Sequence, residues 1–434
     1  MTPARSSLHA LVLMIAFAMV AALPYLAAPR PVAGAPQAGA ATSGPGVAAL
    51  PADLQAAATS ALARLDASAR AMPPGAYPWR TTSGGAWETT GASAWTSGFW
   101  PGCLWAAAAL SGDRTWAARA EAAEAGLSGQ AAGTSSNDIG FQLVPGFAAA
   151  YAATGDERAR QVLLAGATSL ASRYSARVGA VRSWGPMAAG GDYKVIIDGL
   201  MNLELLFWAA RHGGSPRLAE IAHRHALTSA RDLERPDGST YHVAAYDPAS
   251  GRLRWRGTSQ GAAGGSTWSR GQAWAIYGFT LASASSGDPR LLRAARKAAD
   301  YWLAHVPDDE VPPWDFDAAG GAAAQRDTSA AAVAATGLLD LARAEPDPLL
   351  AGRDEQAATA LVRALAGPSY LRGGAASSGG ALLRGGTEAA STGRFDLGLV
   401  YGDYYFLRAL VGLAERRRLS YSHSIVPGGL EVTS

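Results

Sequence analysis

Two aspartates stand at the start of apolar, helix-like segments, and paired carboxylates can transfer protons at a glycosidic centre. Asp198 follows the β-branched run 195–197, and the segment after it places Leu203 and Phe207 on one helix face. Asp138 opens a second segment in the same manner. Each aspartate alone is explained as a helix N-cap. A third polar and aromatic cluster lies at 266–274. Helix capping does not explain why all three clusters occur together.

Aromatic and polar residues concentrate where helices are predicted to begin. The chain has 13 Trp, and several stand beside carboxylates and amides. Such surfaces bind sugars, because pyranose C–H faces pack on rings while hydroxyls need donors and acceptors. We expect Trp105, Trp208 and Trp274, deep in helices, to be core residues instead.

Other chemistries are poorly supported by the sequence. We find no Ser/His/Asp arrangement in a recognisable context and no glycine-rich phosphate loop. His223 and His225 lie two residues apart, a poor spacing for sharing a helix face, so we expect no metal site, and we expect no cofactor. A carboxylate pair remains as the candidate catalytic equipment.

Composition indicates one large folded domain without a nucleic-acid partner. The chain has 434 residues, of which 49% are hydrophobic and 17% charged, enough to bury a large core. The net charge is +2 and the arginines are scattered, which argues against nucleic-acid binding. The single Cys103 can form no internal disulfide. The oligomeric state stays open.

The first 40 residues resemble an export signal with a flexible spacer. A basic start at Arg5 precedes the apolar stretch 11–23, and small-residue cleavage sites follow at 33–35 and 38–40. The predicted localisation is therefore exported, either secreted or in the cell envelope. The alternative is an uncleaved N-terminal anchor, because the apolar run approaches the ~20 residues that cross a bilayer. At the other end, 418–434 lacks periodicity and predicts a disordered tail.

Between these ends, residues 50–417 predict an all-α domain of twelve helices. The predicted helices are 51–72, 98–111, 113–127, 139–154, 156–174, 198–211, 215–233, 270–285, 288–305, 327–344, 348–366 and 403–417. Several are joined by a Gly-Asp step, which suits a glycine C-cap followed by an aspartate N-cap. Such short joints make antiparallel neighbours, so we predict an (α/α)6 barrel rather than a four-helix bundle or an open solenoid.

One segment departs from the helical pattern. Residues 239–243 and 252–256, separated by the turn sequence 247–251, predict a small β-hairpin insertion. In a helical barrel, such an insertion projects from one end and can form the wall of a pocket.

Six motifs, taken together, resemble the unsaturated glucuronyl hydrolases, glycoside hydrolase family 88. The resemblance covers roughly residues 50–417. The motifs are Trp95-Thr96-Ser97-Gly98-Phe99-Trp100-Pro101-Gly102, Asp138-Ile139-Gly140-Phe141, Asp198 with Met201-Asn202-Leu203, Ser266-Thr267-Trp268-Ser269-Arg270-Gly271-Gln272-Ala273-Trp274, Trp314-Asp315-Phe316-Asp317 with Arg326-Asp327-Thr328-Ser329-Ala330-Ala331, and Gly402-Asp403-Tyr404-Tyr405-Phe406.

The resemblance implies an (α/α)6 barrel and a substrate with a C4=C5 double bond on its terminal uronic acid. In this family a carboxylic acid protonates C4, water adds at C5, and the hemiketal collapses to release the neighbouring sugar. By the same resemblance, Asp198 is the general acid and then the base, and Asp138 is the partner carboxylate whose charge, with burial, raises the pKa of Asp198.

The resemblance also implies a set of substrate contacts. His242 matches a position near the attacking water, and Trp268 would pack beside the unsaturated ring. Arg270 would meet the uronate carboxylate bidentately. The expected substrate-binding set is His242, Gln260, Trp268, Arg270, Trp100 and Asn137. Asn137 and Ser259 stand where the family often has histidines, which makes substrate preference harder to predict than the chemistry.

Our preferred interpretation is a hydrolase of glycosaminoglycan-derived unsaturated oligosaccharides. The nearest alternative is an unsaturated rhamnogalacturonyl hydrolase acting on pectin fragments. A non-catalytic sugar-binding protein on the same fold is another, although a binding module needs no carboxylate pair. An inverting glycosidase acting on saturated sugars is a third.

Overall fold

Helices make up most of the computed structural model, which describes residues 46–188, 190–372 and 379–424. The predicted export segment and spacer, 1–40, lie outside the described residues. Each of the twelve predicted helices is present, with bounds within three residues of the prediction except at the end of the last helix, which is seven residues longer. They are α1 (Ala52–Ala71), α2 (Phe99–Ser111), α3 (Arg114–Glu124), α4 (Ile139–Leu143 and Ala149–Thr154 around the π-helical turn Val144–Ala148), α5 (Glu157–Ala171), α6 (Gly199–Arg211), α7 (Arg217–Asp232), α8 (Ser269–Ser286), α9 (Pro289–His305), α10 (Thr328–Ala344), α11 (Pro348–Ala366) and α12 (Val400–Ser424).

Three joints between helices have the predicted glycine and aspartate caps. The glycines are left-handed, with φ of 72° at Gly112, 71° at Gly155 and 73° at Gly287. The aspartates that follow, Asp113, Asp156 and Asp288, each accept a hydrogen bond from the backbone N–H two residues on. These caps end one helix and start the next within a few residues, so consecutive helices are antiparallel.

The even-numbered helices form a closed inner ring. Each packs on the next, from α2 through α4, α6, α8 and α10 to α12, and α12 returns to α2. The odd-numbered helices pack outside them. This closure confirms the (α/α)6 barrel and contradicts an open solenoid, which has two free ends.

The inner helices start at the same end of the barrel, where their first turns touch. A Cβ on Gly98 at the start of α2 would lie 2.2 Å from the Phe141 carbonyl oxygen of α4. A Cβ on Gly199 of α6 would lie 3.1 Å from the Asn137 side chain, and one on Gly271 of α8 would lie 3.3 Å from Ile197. Glycine at these positions lets the helix starts approach closely. Side chains at these starts therefore converge on one mouth of the barrel.

The predicted hairpin is present, with its first strand at 243–246 instead of 239–243, and it belongs to a larger sheet. β1 (Tyr77–Thr81) pairs with β2 (Trp87–Thr90), and β3 (Tyr174–Ser175) with β4 (Ala180–Val181). The hairpin consists of β6 (Val243–Tyr246) and β7 (Leu253–Gly257), and β5 (Tyr193–Ile196) joins it as a third antiparallel strand. The sequence analysis missed the β5 pairing, since β5 and β6 are distant in the chain.

The predicted tail is partly helical. α12 continues to Ser424, beyond the predicted domain end at 417. The stretch after Ala414 begins with one Glu, three Arg and one Leu, which favour helix, and has no Pro until 427. Residues 425–434 of the predicted tail lie outside the described part of the chain. Within that part, no helix is both long and apolar enough to span a bilayer.

Close packing of the inner ring generates a stability prediction. Gly98 has φ −68° and ψ −22°, angles open to any residue, so Gly98→Ala tests only the clash with the Phe141 carbonyl. We expect a loss of about 1–3 kcal/mol in the free energy of unfolding, from overpacking. Gly352→Ala in α11 is the matched control, because its Cβ would meet no atom within 4 Å, and it should stabilise by about 0.5–1 kcal/mol. Thermal unfolding of both variants measures this; equal melting temperatures would contradict the close approach.

Candidate active site

Asp198 links β5 to α6 and occupies the N-cap position of that helix. Its side chain makes no capping hydrogen bond, and Asp198 Oδ2 is buried without a hydrogen-bond partner among the described residues. Burial raises the pKa of Asp198 to about 7, against the opposing effects of a hydrogen bond from its own backbone N–H and of the charge of Arg270. The charge of Asp138 raises the same pKa, as a smaller cause than burial. The structure therefore rejects a capping role for this side chain and leaves a carboxyl group that holds its proton near neutral pH.

His242 faces this carboxyl as a neutral ring. Its Nδ1 accepts a hydrogen bond of 3.1 Å from the Ser259 backbone N–H, which assigns the ring proton to Nε2. His242 Nε2 lies 3.5 Å from Asp198 Oδ2. Burial, followed by the charge of Arg270, lowers the pKa of His242 to about 3. The imidazole thus presents an N–H donor, rather than a cation, to the space beside Asp198.

Asp138 opens α4 and also lacks a capping hydrogen bond. Burial raises its pKa, while a 2.5 Å hydrogen bond from Ser136 Oγ and the charge of Arg173 oppose the rise. Asn137 stands behind it: in the amide orientation that satisfies its neighbours, Asn137 donates to Asp138 Oδ1 at 3.3 Å and to the Ser183 carbonyl at 3.2 Å. Asn137 has 0% of its surface exposed. Its position supports a role in orienting Asp138, in place of the expected substrate contact.

Arg270, in the first turn of α8, is occupied by protein acceptors. Its Nη1 donates to Asp327, to Ser329 Oγ at 3.2 Å and to the Thr387 carbonyl at 2.7 Å. Its Nη2 donates to Gln260 Oε1 at 3.0 Å and to the Glu388 carbonyl at 3.2 Å. A bidentate contact from these two nitrogens to a substrate carboxylate would have to break several of these bonds. In this structure Arg270 is a brace that holds Gln260, and the expected bidentate contact stays a prediction.

Two tryptophan rings lie beside His242. The Trp268 ring lies 4.8 Å from the His242 ring and beneath the Arg270 guanidinium at 4.6 Å. Trp184, which the sequence analysis did not select, lies 6.0 Å from His242 at an interplanar angle of 88°. Its one sequence signal is an aromatic residue beside the turn 185–188. Trp268 and Trp184 thus flank His242.

Trp100, expected to contact the substrate, is buried among core residues, and that contact stays a prediction. It is 4% exposed, and no ring contact or hydrogen bond joins it to the described site residues. The neighbouring Phe99 contacts Phe141 and Tyr401, which directs Phe99 toward the barrel axis. Consecutive helix residues point about 100° apart, so Trp100 is turned away from that axis. Trp95, whose ring lies 5.0 Å from that of Tyr401, is the aromatic residue of this motif nearer the mouth.

A barrel mouth with two buried carboxyl groups, a neutral histidine and aromatic walls defines a class of carbohydrate-processing enzyme. Comparisons of the chain with known proteins identify the class more narrowly. The chain is 38% identical to the unsaturated glucuronyl hydrolase of Bacillus sp. strain GL1 over 327 residues, 74% of this chain and 86% of that protein. It is 32% identical to the unsaturated chondroitin disaccharide hydrolase of Streptococcus pyogenes serotype M1 over 339 residues, 77% of this chain and 85% of that protein.

A solved structure agrees with these relatives. The fold matches the crystal structure of an unsaturated glucuronyl hydrolase specific for heparin with a TM-score of 0.79 at 34% identity, covering 83% of this chain and 97% of that chain. No protein-family profile matches the chain. The chain belongs to the unsaturated glucuronyl hydrolases, which are glycosidases.

The raised pKa of Asp198 generates a prediction about stability and pH. The unfolded carboxyl group loses its proton near 4, whereas the folded one keeps it to about 7, so the native state binds more protons in between and loses stability as pH rises. Asp198→Asn removes this loss. Relative to the wild type, the variant's free energy of unfolding should therefore rise between pH 5 and pH 8 by on the order of 2 kcal/mol.

Unfolding at both pH values measures this difference. Asp308→Asn, at an exposed carboxylate, is the matched surface control. A stability difference between Asp198→Asn and wild type that is the same at pH 5 and pH 8 would contradict a raised pKa.

Proposed function

We propose that this protein removes the 4,5-unsaturated uronic acid from the non-reducing end of oligosaccharides produced by polysaccharide lyases, and that these derive from glycosaminoglycans. The observation that carries the proposal is Asp198, a carboxyl group with a pKa of about 7 placed 3.5 Å from a neutral histidine. The names of the relatives, which specify unsaturated glucuronyl, chondroitin disaccharide and heparin substrates, support the substrate class.

Asp198 supplies and recovers the proton of the reaction. Its carboxyl group donates a proton to C4 of the alkene, which leaves oxocarbenium character at C5. Water adds at C5 and gives its proton to the Asp198 carboxylate, so the acid is regenerated. The resulting hemiketal opens to a C5 ketone, and the hemiacetal left at C1 expels the neighbouring sugar as an alcohol. A general acid works best with a pKa near the operating pH, which suits a value of about 7.

The remaining residues assist this step. Asp138, when ionised, favours the protonated form of Asp198 before reaction and stabilises positive charge that develops at C5. The His242 Nε2–H points toward the same space and can hold the attacking water. Trp268 offers a ring to the unsaturated sugar. Gln260, held by Arg270, is the polar side chain available to the uronate carboxylate.

Loss of ultraviolet absorbance from the conjugated alkene tests the proposal directly. Wild-type protein should remove the absorbance of unsaturated chondroitin or hyaluronan disaccharides, with a rate that falls as pH rises through about 7 because Asp198 loses its proton. Asp198→Asn should lower kcat by about 10²–10⁴-fold, the usual contribution of general acid–base catalysis.

The alternatives give different results in the same assay. Turnover confined to rhamnogalacturonan disaccharides would identify the pectin-directed enzyme. Binding without loss of the alkene would identify a sugar-binding protein. Release of saturated sugars would identify an ordinary glycosidase. Full activity of Asp198→Asn would overturn the catalytic assignment.

We also propose that the protein is exported. The basic start and apolar stretch of the first 40 residues support it, and an extracellular lyase would supply the substrate. N-terminal sequencing of the protein from fractionated cells tests this: a new N-terminus near 35–40 outside the cytoplasm is expected, and an intact chain in the membrane fraction would indicate the anchor. An intact chain in the cytosol would contradict export.

A further inference from the structure

An exposed tryptophan lies on the three-stranded sheet beside the site. The register of β5, β6 and β7 places Lys194, Ala245 and Trp255 directly opposite one another. Directly opposed residues project from the same face of a sheet. The Lys194 Nζ accordingly lies 5.8 Å from the Trp255 ring. Trp255 is 41% exposed, which is unusual for the largest apolar side chain in a protein whose other tryptophans are largely buried.

Contacts at both edges hold the Trp255 ring in place. Its Nε1 donates to Asp192 Oδ2 at 2.8 Å. Its six-membered ring extends toward Gly257, where a Cβ would lie 3.4 Å from the ring. Ala245, beside it on β6, has a small side chain that leaves room for the indole. The ring is thus held along the sheet while Trp255 stays 41% exposed, which leaves aromatic surface on which a sugar can stack.

The two cations near this ring differ in whether they form ion pairs. Arg254 pairs with Asp192 at 2.8 Å and also with Asp247. Lys194 forms no ion pair and no side-chain hydrogen bond within the described residues, although its charge is a minor cause of the lowered pKa of Asp192, after the hydrogen bond from Arg254. It is therefore the cation left available to an anionic ligand.

Both strands that carry this pair run directly into the site. β5 continues through Ile197 to Asp198, and β7 continues through Thr258 to Ser259, whose N–H holds His242. Lys194 stands four positions before Asp198, a span of up to about 13 Å at the rise of a strand, and Trp255 lies a further two strands across the sheet. A ligand held at Asp198 would therefore need to extend well beyond its terminal sugar to reach Trp255.

We propose that Trp255 and Lys194 form an accessory subsite for a distal sugar of unsaturated oligosaccharides longer than a disaccharide, with the sugar's C–H face on the indole and its carboxylate or sulfate near the ammonium group. This inference rests on the proposed function, and it adds a preference for long, anionic substrates. Charge complementarity with Lys194 and continuity with the site through β5 and β7 favour a saccharide as the occupant.

The ratio of kcat/KM for an unsaturated tetrasaccharide to that for the matching disaccharide tests the subsite. In Trp255→Ala this ratio should fall by about 3- to 10-fold through KM, the range expected from one lost aromatic contact. Trp255→Phe, which keeps a ring, should retain most of the ratio. Lys194→Gln should lower the ratio for an anionic tetrasaccharide at low salt, and the loss should shrink as salt rises. With a tetrasaccharide whose other sugars are uncharged, Lys194→Gln should have no effect.

Controls separate this subsite from a structural role and from the proposed function. Leu349→Ala truncates another exposed apolar side chain, 82% exposed on α11, and should leave the ratio unchanged. An unchanged ratio in Trp255→Ala, or an equal loss on both substrates, would overturn the subsite. If the wild type turns over neither substrate, the proposed function has failed. Calorimetric binding of the tetrasaccharide to Asp198→Asn, with and without Trp255→Ala, then decides the subsite: weaker binding without Trp255 supports it, and equal binding overturns it.

Discussion

The buried ion pair between Arg270 and Asp327 is the interaction on which the mouth of the barrel depends. Arg270 is 3% exposed and Asp327 is 0% exposed, so neither charge is solvated by water. Asp327 also accepts the Ser329 N–H at 3.1 Å and caps α10, while Arg270 holds the loop carbonyls of Thr387 and Glu388. One pair therefore joins α8, α10 and the loop before α12. A buried charge that loses its partner costs about 3–5 kcal/mol, so these elements are held as a unit.

Burial at this mouth has opposite effects on two neighbouring groups. It raises the pKa of Asp198 to about 7 and lowers that of His242 to about 3, because a poorly solvated site disfavours the charged form of each. Both groups are consequently neutral in mildly acidic solution, and both can donate a proton or hydrogen bond. The charge of Arg270 lowers both pKa values, so it limits the rise in the pKa of Asp198 that burial causes. The brace and the reacting groups are thus electrostatically coupled.

The same residue type serves two purposes at helix starts in this protein. Asp113, Asp156 and Asp288 cap the outer helices α3, α5 and α9. A carboxylate oxygen of each accepts a hydrogen bond from a backbone N–H. Asp138 and Asp198 stand at the starts of inner helices without such bonds. A carboxylate that caps a helix is stabilised in its ionised form, whereas one without a cap in a buried place is not. The capping hydrogen bond, rather than position in the ring, therefore separates structural aspartates, including Asp327 at the start of the inner helix α10, from reactive ones.

The sequence by itself determined the twelve helices, the Gly-Asp joints, the hairpin β6–β7 and the selection of Asp138 and Asp198. These depend on periodicity, cap chemistry and motifs, which are local properties of the chain. Only the tertiary structure decided that the ring closes, that β5 joins the hairpin, that Asp198 is released from capping and that Arg270 is already occupied. It also turned Trp100 away from the axis and brought Trp184 to His242. Each of these depends on contacts between residues distant in the chain, and local patterns carry no information about which distant groups will meet.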